Sequence, residues 1–123
     1  MSRTAWLPTI AWAGVILALT SWPRPPSFGL PPNSDKVAHV ALYAVFGTLL
    51  SRSFRLTRAW PPSRVALSAI SVGLLFGGLD ELHQQWIPGR STSFADWLAD
   101  AFGVVTSALF LLLAAQQRRE PVQ

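Results

Sequence analysis

The chain has no cysteine, which excludes disulfide bracing and thiolate metal sites and leaves His, Asp and Glu as the side chains able to hold a metal. Charge is scarce too. Asp, Glu, Lys and Arg make up 13% of the residues, about half the share of an ordinary soluble domain. There is no internal repeat, and 123 residues amount to one domain. The net charge of +4 invites a nucleic-acid reading. The placement of the charges argues against it, because the basic residues collect at alternate segment ends.

What the chain has instead is hydrophobic sequence, 50% of all residues. It falls into four segments: 6–21, 37–51, 65–87 and 94–115. A spanning helix needs about 17–25 residues. The fourth segment qualifies outright and the first lies near the lower limit. The second and third reach spanning length only if their polar ends count as membrane. The expected fold is all-α: an integral membrane bundle of four transmembrane helices at about residues 6–22, 35–51, 64–87 and 94–116, in a single domain over residues 1–123.

Orientation follows from the basic residues. Arg3, Arg52, Arg55, Arg58, Arg64, Arg118 and Arg119 fall on one side, with Arg24, Lys36 and Arg90 on the other, which places both termini and the middle loop in the cytoplasm. Trp6 and Trp60 suit the inner aromatic belt, and Trp22, Trp86 and Trp97 the outer one. The first segment has a second reading as a cleaved signal peptide. Trp12 and the poor cleavage site near Thr20 and Ser21 weaken it, and retention or removal stays open. Residues 22–32 carry five prolines and read as an extended external linker. Asn33 or Ser34 then caps a helix starting at Asp35, and Ser93 caps the last helix.

Polar groups at membrane depth are costly and mark functional sites. Five of the six acids, Asp35, Asp80, Glu81, Asp96 and Asp100, lie at the outer segment ends. Asp35, His39 and Tyr43 are spaced four apart and line one helix face, flanked by Lys36. Asp80 lies six residues before Trp86, about 9 Å deeper, near the depth of His39 and Tyr43. Asp96, Asp100 and Gly103 share a face of the last helix. Gly73, Gly77 and Gly78 permit close helix contact.

This ordered set resembles the VanZ-like family, named for a teicoplanin-resistance protein. The resemblance rests on Asp35, Lys36, His39 and Tyr43, on Asp80, Glu81, His83 and Gln84 followed by Pro88, Gly89, Arg90 and Ser91, and on Asp96 with Gly103. It covers about residues 35–103. One departure is Asp100, where the family usually has asparagine, so a role needing a neutral amide is not carried over. The resemblance implies a small multi-spanning protein of a bacterial-type plasma membrane, tied to the cell envelope and glycopeptide resistance. It does not fix an activity.

Two classes of function stay open. In the first, an enzyme acts in the outer leaflet on a lipid-linked or cell-wall-related amphiphile. His39, Asp80, Glu81 and His83 are its candidate acids and bases, and Asp35, Lys36, Tyr43, Gln84, Arg90, Ser91, Asp96 and Asp100 its substrate contacts. In the second, the same residues form an interhelical network that binds a lipid, glycopeptide or partner protein, or only holds the helices together. No nucleophile elbow surrounds Ser91 or Ser93 to favour catalysis. Taken singly, Asp80 accepting from His83 or Gln84, Glu81 facing solvent or Arg90, and Arg90 holding Asp96 are the plainer readings. No cofactor is expected. A divalent metal on His39, His83, Asp80 and Asp96 is a variant without a spacing motif. Membrane lipids are the expected partners, nucleic acid is not, and oligomerisation stays open.

Overall fold

The computed structural model describes residues 3–23, 31, 33–90 and 92–121. Among these, regular structure is entirely helical. A 3₁₀ turn over Arg3–Trp6 leads into α1 (Leu7–Thr20), followed by α2 (Ser34–Thr57), α3 (Pro62–Gln84) and α4 (Phe94–Gln117). Length and apolar composition qualify α2, α3 and α4 to cross a membrane, three helices where the sequence reading counted four. The 14 residues of α1 extend only about 21 Å at 1.5 Å per residue. Most of the proline-rich linker, with Arg24, lies outside the described residues, as does Ser91.

Two boundaries moved for physical reasons. α2 continues past Ser51 to Thr57, because polar residues there do not break it. The Ser51 and Thr57 hydroxyls donate to the carbonyls of Gly47 and Ser53, one turn back, and so enter the bundle already satisfied. α3 stops at Gln84 rather than Ile87, since the Pro88 ring would collide with the carbonyl four residues earlier. Gly89 then turns the chain at φ 80°. Of the two expected caps, Ser93 accepts from the Asp96 amide at 3.1 Å. Asn33 holds the N-cap position of α2 in a left-handed conformation but makes no side-chain cap bond.

α2 is the central helix. It packs most extensively on α4, while α3 lies against both and α1 rests mainly on α2. Ile16, Tyr43, Phe46, Leu50, Ala69, Val104 and Ala108 form the apolar core. α1 is attached through polar contacts: the Thr9 and Ser53 hydroxyls are 2.6 Å apart, and the Trp12 indole donates to the Leu42 carbonyl at 2.8 Å. Burial is inverted relative to a soluble bundle. Asp80, Asp96, Asp100 and Gln84 are inside, while Leu67, Leu75 and Phe110 are at least 65% exposed. Hydrocarbon around the bundle removes the cost of that exposed surface.

The arginine-rich end is coherent. Trp60 stacks on Phe54, Arg58 and Arg64 lie over the Trp60 ring, and Trp6 packs edge-on against Phe54. The α2–α3 turn and the start of α1 are therefore at one end of the bundle, and the acidic residues are at the other.

Candidate functional site

On α2, the spacing of four that aligns Asp35, His39 and Tyr43 aims the lower two inward: Asp35 is exposed, His39 is buried and Tyr43 is fully enclosed. On α4 the same spacing brings Asp96 and Asp100 into the bundle. Gly103, one turn below Asp100, lets α4 come against the α2 backbone: a Cβ there would lie 2.8 Å from the Ala44 amide nitrogen. α3 contributes Asp80, Glu81 and Gln84. Two helices, α3 and α4, thus deliver four buried carboxylates to one chamber, and α2 brings His39 and Tyr43 to it.

Their partners come largely from other helices. Asp100 Oδ1 is 2.6 Å from His39 Nδ1. Lys36 pairs with Asp96 across the α2–α4 contact and with Asp35 at 2.8 Å. Asp80 accepts from the Tyr43 hydroxyl at 3.1 Å and from the Thr20 hydroxyl at 2.7 Å. Glu81 Oε1 receives only a 3.4 Å bond from Gln84 within α3. Among the described residues, Glu81 Oε2 and Asp100 Oδ2 are buried without a hydrogen-bond partner, a state that costs about 1–3 kcal/mol, and more when the group is charged.

Several sequence-level expectations change. Asp80 bonds to α1 and α2 rather than to His83 or Gln84 of its own helix. Glu81 faces neither solvent nor Arg90; it is 8% exposed, because the α3 rotation that carries Asp80 towards α1 and α2 turns Glu81 towards α4. Arg90 does not hold Asp96. Its guanidinium donates to the Leu19 carbonyl at 2.5 Å and the Trp22 carbonyl at 2.8 Å, closing the end of α1. His83 is exposed, outside the chamber.

Thr20 is the site residue that the sequence reading missed. As the polar residue ending the apolar run of α1, it carried a signal, read there only as part of a poor cleavage site. A groove of about 370 Å³ opens beside the chamber between α3 and the start of α4. Glu81, Gln85, Thr92 and Ser93 give it hydrogen-bonding groups, and Leu82, Phe94 and Trp97 give it apolar walls.

The donor set suits acid–base work, a cation, or a headgroup rich in hydrogen-bond donors. It suits an anion poorly, since Lys36 and Arg90 are already engaged. A family model described as VanZ/LLP1 matches residues 5–115. No curated protein and no solved structure matches the chain.

Proposed function

Because the chain belongs to the VanZ/LLP1 family, we propose that it is a four-span cell-envelope protein of a bacterial-type plasma membrane that binds a lipid-linked, cell-wall-related amphiphile in the groove beside its acidic chamber. The observation that carries this reading is the groove itself, in which apolar walls meet Glu81, Gln85, Thr92 and Ser93. Acyl or isoprenoid chains fit Leu82, Phe94 and Trp97. Sugar hydroxyls or peptide amides fit the polar end, which presents acceptors.

The same reading puts the arginine-rich end in the cytoplasm and the groove at the outer leaflet, with α1 and its preceding turn as the fourth span. A reporter fused after Arg58 is expected to read as cytoplasmic and one at Gly89 as external; the reverse pattern would invert the model.

Native mass spectrometry of the detergent-purified chain tests the ligand. Wild type should retain an amphiphile other than bulk phospholipid, and Gly78→Leu, which places a side chain in the groove, should lose it while remaining folded. Equal occupancy in both proteins, or bulk phospholipid alone, would remove the reading. A second reading is favoured by the bonding of Asp80 to Thr20 and Tyr43: the polar groups only hold α1, α2 and α3 together. Under it, the wild type carries no specific amphiphile.

A further inference from the structure

Four buried carboxylates, Asp80, Glu81, Asp96 and Asp100, meet one lysine and one histidine in the chamber. Carboxylates removed from water require compensation, either by pairing or by a metal. Asp80 is provided for by two hydroxyl donors. Glu81 is not: among the described residues, one oxygen has a single long bond within its own helix and the other has none.

His39, Glu81 and Asp96, one from each of α2, α3 and α4, present ligand atoms that all lie within 4.8 Å of one another. We propose that these three residues form a binding site for a single divalent cation of the Zn²⁺ or Mn²⁺ class. An ion of this class sits about 2.0–2.2 Å from nitrogen and oxygen donors. A 4.8 Å spread is therefore closed by side-chain rotation.

The surroundings have the form of a metal site. Asp100 holds His39 Nδ1 at 2.6 Å and leaves Nε2 for the ion, the carboxylate–histidine–metal arrangement in which the outer carboxylate fixes the ring and raises its basicity. Lys36 occupies Oδ1 of Asp96, so Oδ2 remains for coordination, and Asp35 gives Lys36 a second partner. Glu81 supplies the unpartnered oxygen. One nitrogen and two carboxylate donors suit Zn²⁺ and Mn²⁺ better than an all-oxygen ion. Three protein ligands also leave a coordination position open. The triad differs from the metal set weighed on the sequence without a spacing motif, His39, His83, Asp80 and Asp96: His83 and Asp80 drop out and Glu81 enters.

The test uses the full chain in detergent, stripped with chelator and then given ZnCl₂ or MnCl₂. Bound metal is measured after desalting, and thermal unfolding with and without the ion. Wild type is expected to hold one ion per chain and to unfold at a higher temperature when loaded. Glu81→Gln should be at least as stable as wild type without metal, because it removes a buried unpaired charge, yet show no metal-dependent gain. Asp100→Leu, which leaves His39 Nδ1 without an acceptor, should weaken binding by about 10–100-fold, as loss of an outer-shell partner does. His83→Ala should bind as wild type does. No ion on wild type, equal uptake by Glu81→Gln, or loss of metal in His83→Ala would each overturn the proposal. Glu81 borders both the groove and this site. Metal content is measured directly, however, and the amphiphile reading is tested by Gly78→Leu, which changes none of the three ligands, so failure of one is distinguishable from failure of the other.

Discussion

Gly103→Ala is expected to destabilise the bundle by about 3 kcal/mol, the upper end of the range for an overpacked contact. The new methyl would lie 2.8 Å from the Ala44 nitrogen and 3.2 Å from the Tyr43 carbonyl carbon, and closer still to the Val40 oxygen. All three are backbone atoms, so no side chain can rotate away and α4 must separate from α2. That separation would also part His39 from Asp100, since each lies one turn from the contact on its own helix. The measurement is unfolding in mixed micelles of detergent and SDS. Gly14→Ala provides the contrast: its Cβ meets nothing within 4 Å, and the substitution should be neutral or stabilising by up to about 1 kcal/mol through helix propensity. If the two substitutions cost the same, close packing at Gly103 is not what holds α2 to α4.

His39→Ala is expected to cost about 3–5 kcal/mol when measured in the presence of chelator, because removing one member of a buried pair leaves the other uncompensated. Asp100 is 1% exposed and already has one oxygen without a partner. Losing the 2.6 Å contact to His39 Nδ1 would leave it with neither oxygen satisfied. The double change His39→Leu with Asp100→Leu should recover most of that loss, since an apolar pair in the same volume carries no desolvation penalty. Additive losses in the double variant would mean that the two residues act separately. His83→Ala should cost little in the same assay, as an exposed side chain outside the chamber.

Much of this geometry was written in local spacing. Steps of four on α2 and α4 place His39, Tyr43, Asp96 and Asp100 inside, and the bond between Tyr43 and Asp80 meets the expectation that they share a depth. A helix repeats its directions every few residues, so which side chains share a face is a property of the chain alone. Segments of apolar residues likewise specified an all-helical membrane protein, and the ordered polar motif specified its family.

What spacing does not contain is the rotation of one helix against another. That rotation decided that Asp80 turns to Thr20 on α1 while Glu81, the next residue, turns to the α2–α4 side, and that Arg90 closes α1 instead of reaching Asp96. It also decided which donors converge: His39 and Asp96 face each other across the α2–α4 contact that Gly103 permits, and the rotation of α3 brings Glu81 to them. Periodicity sets the faces; the depth and angle at which faces meet depend on side-chain volume at the contact, and only the packed structure fixes those.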